Sequence, residues 1–293
     1  MKRTKLISFA SLALLLAFAI DTNAQIDTPA PSPSGSVKAR VGLTDVEITY
    51  YRPQMKDRKI FGSGDGFLLK YGTLWRAGAN QGTVVKFSTD VNFGGTDIKA
   101  GDYKLLANPG ADEWSVVLTS DLSVGGNVSG YDLSKAAAVA KVKPTKLTET
   151  VNTLTYNISD LSKDGTGANV ELAWENTSVK VPIKVSFDET VMKAIEANTK
   201  VNPGNYRAAA SYYVTTGRDL DQAIKWFDMY LAAGENFKHF WVITEKAEAL
   251  SKKGDKKGAI KAAQEAITQA KARPDGDFGY IKRNEDFIAG LKK

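Results

Sequence analysis

Residues 70–88, KYGTLWRAGANQGTVVKFS, set a tryptophan beside an arginine among glycines and an asparagine, just before strand-like alternation. The chemistry this offers is recognition. Arg76 carries a planar fork of donors suited to a carboxylate, a phosphate or a sugar hydroxyl, and Trp75 a flat apolar face. Gly72, Gly78 and Gly82 allow backbone to approach a guest closely. Tyr50, Tyr51, Arg52, Arg58, Tyr71 and Asn80 extend the same candidate surface, an anion or glycan cleft. A packing role stands open beside it: an arginine can bind loop carbonyls, an asparagine can satisfy turn amides, and a tryptophan can plug the end of a core.

Other chemistries find less. DLSKDGTGANVE places Asp160, Ser162, Asp164, Gly165 and Glu171 in the register of a calcium loop. The flanking residues alternate like strands and not like the helices of an EF-hand, so a wide hairpin loop explains the same residues and no metal site is expected. The chain has no cysteine, which excludes thiol nucleophiles, disulfides and cysteine-ligated metals. His239 is the only histidine, flanked by Phe240 and Trp241, and reads as a packing or capping residue. No cofactor motif is present. A carboxylate pair of the glycosidase kind is set in space and not in sequence, which keeps a hydrolase of envelope glycans or peptides as the alternative to a binding protein.

These residues must be positioned by a sheet. Period-two alternation runs through Val37 to Val41, Val46 to Tyr50, Val85 to Phe87, Val91 to Phe93, Tyr103 to Leu105 and Trp114 to Leu118. It resumes in Leu154 to Ile158, Val170 to Trp174 and Val179 to Val185. Gly94-Gly95, Pro109-Gly110, Asp164-Gly165 and Glu175-Asn176 read as turns between them. About nine short strands with no intervening helices predict an antiparallel β-sandwich over residues 37–187, and Pro182 puts the last strand at an edge.

From Asp188 the period becomes helical. Asp188 reads as an N-cap, Asn202-Pro203 opens a second helix, Asp219 to Leu231 a third, Phe237 to Lys253 a fourth, and Asp277 to Leu291 the last. RDLDQAIKWFDMYL and DKKGAIKAAQEAITQA align with Ala223-Ile224 over Ala259-Ile260, a spacing of 36. Helical hairpins at that period resemble tetratricopeptide repeats, so residues 188–293 read as an all-α hairpin array. The overall class is α+β and multidomain.

The first 24 residues join Lys2, Arg3 and Lys5 to an apolar run from Leu6 to Ile20 and a small-residue site ending at Ala24. That is the pattern of a signal peptide, and it implies export to the periplasm or the extracellular space. Residues 25–36 read as a proline- and serine-rich linker. No later run is apolar for long enough to span a membrane. Loss of the leader lowers the formal charge from +6 to about +4, and the surplus lysines cluster after residue 190 without interleaved aromatics, so nucleic-acid binding is not expected.

TYYRPQMKDRKIFG, KYGTLWRAGAN and IKAGDYKLLANPGADEWSVVL, in that order, resemble the bacterial family known as domain of unknown function 2911, over about residues 36 to 185. Two departures, Ser63 to Lys70 and Gln81-Gly82, imply an altered rim around the shared fold. The resemblance brings no agreed activity, catalytic residue or ligand. Taken together, the sequence predicts a non-enzymatic exported protein, with a sandwich surface for an envelope glycan or anionic ligand and a helical array for a protein or peptide.

Overall fold

The computed structural model describes residues 28–199, 202–235 and 238–293, and the expected signal peptide, the start of the linker and Phe237 lie outside them. The chain divides into two compact units, one ending at Ser186 and one beginning at Phe187.

Among the described residues the first unit holds twelve strands. Six form an antiparallel sheet in the order β1 (Ser34–Val41), β2 (Thr44–Tyr51), β5 (Thr83–Phe87), β8 (Gly101–Asn108), β9 (Trp114–Thr119) and β10 (Ala138–Val142). Four form a second antiparallel sheet in the order β11 (Thr145–Ser159), β12 (Gly167–Val185), β6 (Val91–Phe93) and β7 (Thr96–Ile98). Alternation does what the sequence implied: β2 buries Val46, Ile48 and Tyr50 while β12 buries Val170, Leu172 and Trp174. The two inner faces meet through aromatic pairs, Tyr50 on Tyr156 at 4.9 Å and Phe87 on Phe93 at 6.5 Å between ring centroids. A loop after β9 covers the outer face of the first sheet, where Val128 packs on Leu106 and Val117.

Three expectations are corrected. Strands β3 (Lys59–Gly62), β4 (Phe67–Lys70), β7 and β10 raise the count, and β3 pairs with β4 in parallel as a separate two-stranded sheet. Glu175-Asn176 reverses the chain as the sequence implied: Glu175 takes φ 53°, and β12 folds back on itself so that the Val185 amide donates to the Thr166 carbonyl at 2.8 Å and the Ser178 hydroxyl to Glu171 at 2.8 Å. Pro182 is not on an edge strand, because the returning arm of β12 lies between its own first arm and β6. Pro182 sits at the end of the β12–β6 ladder, where its carbonyl accepts from the Gly94 amide at 2.8 Å, so its missing N–H removes only one terminal bond. β1 begins at Ser34, inside the stretch read as linker.

The second unit contains α1 (Asp188–Asn198), α2 (Gly204–Thr216), α3 (Leu220–Ala232), α4 (Phe240–Lys253), α5 (Lys256–Lys271) and α6 (Tyr280–Leu291). Asp219 and Asp255 cap α3 and α5 in the same way, each accepting from the amide three residues on, and Gly217 and Gly254 close α2 and α4 in left-handed geometry. Ala223 and Ala259 are both fully buried, as small residues at a helix contact should be. Hairpins at this spacing are consistent with a tetratricopeptide-like array. Asp188 is the first helical residue and not the cap; its carboxylate instead accepts from Tyr212 and Arg218. Burial, then its hydrogen bond to Asp188, push the Tyr212 phenol up to about 12.

Candidate binding cleft

Two loops and one short strand build a cleft on the sandwich unit. The first loop follows β2. Pro53 and Met55 fasten it to β11, with Leu154 donating to the Pro53 carbonyl at 3.0 Å and the Met55 amide donating to Asn152 at 2.8 Å. Lys56 and Asp57 then both take positive φ, 49° and 59°, to reverse the chain. Arg58 locks the reversal, donating through Nε to the Met55 carbonyl at 2.8 Å and through Nη2 to the Gln54 carbonyl at 2.7 Å. Two arms of a fork expected to face a ligand therefore hold its own loop, and Nη1 is left over.

The second loop follows β4. Trp75 exchanges backbone hydrogen bonds with Ala107, at 2.7 and 2.8 Å, and its indole donates to the Gly78 carbonyl at 3.0 Å. Its ring is 7 % exposed and stacks on Trp174. Ala77 follows at φ 49°, fully buried, and its carbonyl accepts from Thr83 Oγ1 at 2.7 Å and Tyr156 Oη at 2.8 Å. Burial pushes the Tyr156 phenol far above the ordinary tyrosine range, so it stays a neutral donor. Gly82 must be glycine: φ is 81° and an added Cβ would stand 3.0 Å from the Arg76 carbonyl.

Arg76 leaves the loop outward. Its Nη1 donates to the Gly126 carbonyl at 2.9 Å, while its Nε is buried without a partner among the described residues. It forms a wall between two concavities, one of about 500 Å³ and one of about 310 Å³, both also bordered by Leu68 and Leu69 of β4 and by Trp75. Arg58, Trp75, Arg76 and Asn80 meet in the larger one. Tyr51, Arg52 and Tyr71 line neither. Arg52 is instead laid over Gly35, where a Cβ would come within 2.9 Å of its Cδ, and its Nε is also buried and unpartnered.

Sequence reasoning passed over Lys56, Gln54 and Trp174, which line the larger cleft, and Lys70, which lines the smaller. Lys56 stood between two arginines already singled out, and that spacing was the available signal. Trp174 gave none, because a tryptophan at an inward strand position reads as core. No carboxylate lines either cleft among the described residues. Lys56, Arg58 and Arg76 have no acidic partner there, whereas Lys38, Lys86, Lys99 and Lys180 on the same unit each pair with one. Strain gathers at the same place: of seven non-glycine residues with positive φ among those described, Lys56, Asp57, Ala77 and Asn80 sit in these two loops.

The calcium-like stretch is the hairpin loop between β11 and β12. Asp160 is held by Lys180 at 2.7 Å and Asn169 at 2.8 Å, and Asp164 by Ser162 and Thr166. Glu171 accepts from Ser178 at 2.8 Å. No group of three or more metal-ligating side chains occurs among the described residues. In the helical unit His239 precedes α4 and stacks on Trp241 at 4.2 Å, making no capping bond with its side chain.

A family model described as "Protein of unknown function (DUF2911)" matches residues 32–183, the span that holds both clefts. No curated protein and no solved structure matches the chain.

Proposed function

The chain belongs to the DUF2911 family of proteins of unknown function, and from that premise we propose that its sandwich unit is an anion-binding module of an exported, non-enzymatic envelope protein. One observation carries the reading: Lys56, Arg58 and Arg76 converge on a cleft of about 500 Å³ whose lining holds no carboxylate. Like charges gathered without counter-charge favour an anionic guest, and low-dielectric walls such as Leu69, Trp75 and Trp174 strengthen that attraction. Strained loops held by many hydrogen bonds are a pre-organised way to present such donors.

Export to the periplasm or extracellular space rests on the leader pattern of residues 1–24. The helical unit supplies a second recognition surface for a protein or peptide, since hairpin arrays present extended grooves. Hydrolysis by paired carboxylates has no seat in the cleft, for it requires two acidic side chains facing one another.

Thermal denaturation with citrate as the probe tests the anion reading. At about a hundred times its dissociation constant an anion adds about 2.7 kcal/mol and raises the melting temperature by several degrees. The shift should vanish in Arg76→Ala and weaken in Lys56→Ala. An unchanged melting temperature in the unsubstituted protein, across citrate and sulfate alike, removes the reading.

A further inference from the structure

We propose that the ligand of this cleft is an extended acidic peptide that pairs with the free edge of β4; the inference rests on the anion-binding reading and names its ligand class. Among the described residues β4 has a strand neighbour, β3, on one side only. Leu68 and Leu69 leave opposite faces of a strand, yet both border both concavities. That placement sets the edge of β4, with its backbone donors and acceptors, along the groove. Such an edge is a template for an added strand, in which main-chain bonds supply affinity and flanking pockets supply specificity.

The groove fits that guest better than it fits a sugar. Carbohydrates are commonly gripped on an open aromatic face, but Trp75 and Trp174 are 7 % and 1 % exposed and offer the groove little ring surface. Leu68 is 42 % exposed, an apolar contact for alternate side chains of a strand. The charges are arranged for acidic neighbours: Lys56, Arg58 and Arg76 on one side, and Lys70 beyond the Arg76 wall, tied only to the fully solvated Asp65. β4 is four residues long, so it would pair with about 13 Å of extended chain. Glu175 makes the complementary arrangement behind it, its carboxylate accepting from the Ile60 amide at 3.2 Å on the far side of β3. That far edge is thus occupied and the near one open.

Fluorescence anisotropy on the purified protein, with a labelled peptide of about eight alternating glutamate and leucine residues, tests the pairing. The peptide is expected to bind, and the same peptide N-methylated at alternate residues to bind about tenfold more weakly or worse, since methylation removes the main-chain donors that pairing needs. Lys56→Glu, at a side chain with no partner among the described residues, should weaken the peptide several-fold while leaving the melting temperature unchanged. Equal binding of the N-methylated peptide overturns the inference. So does binding of tetragalacturonate, an acidic oligosaccharide, in place of the peptide; in either event a retained citrate shift leaves the anion-binding reading standing. If citrate and peptide both fail, the two fall together.

Discussion

Trp75 and Arg76 are neighbours in the chain and point to opposite sides of the same loop. The indole of Trp75 stacks on Trp174 at 6.0 Å with 24° between the planes, inside the end of the core. The guanidinium of Arg76 crosses to the Gly126 carbonyl and divides two clefts. Packing is what Trp75 does, while Arg76, one residue on, borders both clefts. Their variants should separate. Trp75→Ala is expected to cost about 3–5 kcal/mol, the range for emptying a buried aromatic site, and Arg76→Ala about 1 kcal/mol, with its larger effect on the citrate shift. Urea denaturation followed by circular dichroism measures both, and equal losses would show that Arg76 is a structural clasp.

Tyr156 reaches across the sandwich to hold the Ala77 carbonyl, so the cleft loop depends on the second sheet. Tyr156→Phe removes that donor but leaves the Thr83 bond to the same oxygen. The expected cost is about 1 kcal/mol, and amide exchange should accelerate over residues 77–82 before it changes elsewhere. Exchange that rises uniformly over both sheets would show the phenol to be part of the global core and not a tether of this loop.

The hairpin loop between β11 and β12 carries an acid-sensitive joint. Hydrogen bonds from the Ser162 hydroxyl, then from the amide and hydroxyl of Thr166, hold the Asp164 carboxyl down at about 2, against an ordinary 3.8. Because the folded value lies below the unfolded one, the contribution of Asp164 is complete above about pH 4 and is lost as the pH falls toward 2. Asp160 is depressed in the same direction, chiefly by its hydrogen bond from Lys180. Carboxyl titration by nuclear magnetic resonance should place the Asp164 midpoint near 2, and exchange at Thr166 should quicken over the same interval. Asp164→Asn should lack that pH step.

The two hairpin caps give a matched pair of tests in the helical unit. Asp219 Oδ1 accepts from the Gln222 amide at 2.9 Å and Asp255 Oδ1 from the Gly258 amide at 2.8 Å. Each change to alanine is expected to cost about 1 kcal/mol, and the pair should add, since the caps share no partner. Hydrogen exchange over the first turns of α3 and α5 reads the two separately. Coupling between them would mean that the hairpins open as one cooperative unit.

What was legible in the sequence followed from local periodicity. Val46, Ile48 and Tyr50 alternate because one face of β2 is buried, and Asp219 and Asp255 announce helix starts because a side-chain oxygen satisfies a free amide. What escaped was set by distant partners. Nothing local shows that β11 shifts register twice against β12. Nothing local pairs β3 with β4 or lays Trp174 under Trp75. Of the three arginines singled out, Arg58 and Arg76 border the larger cleft and Arg52 does not, and where their donors go depended on carbonyls supplied by Gln54, Met55 and Gly126. Side-chain type foretold the chemistry on offer, and tertiary contacts decided how much of it remained free.

Gly62 tests whether the β3–β4 rim is what shapes the groove. A Cβ at this position would fall 2.4 Å from the Phe67 ring, far inside contact distance. Phe67 also lies under the Lys59 ammonium, 5.8 Å from the ring centroid, so the ring has a fixed seat. Gly62→Ala must push that ring aside, and because Phe67 belongs to β4 the displacement is expected to reach that strand, at about 1–3 kcal/mol. The sandwich sheets do not include either strand, so their circular dichroism should survive while peptide and citrate binding weaken together. Adding Phe67→Ala removes the colliding ring, and the double variant should then be less impaired than the two single effects combined. A purely additive outcome would mean that the rim tolerates the extra methyl without moving, and that Leu68 and Leu69 owe their positions to contacts other than this one.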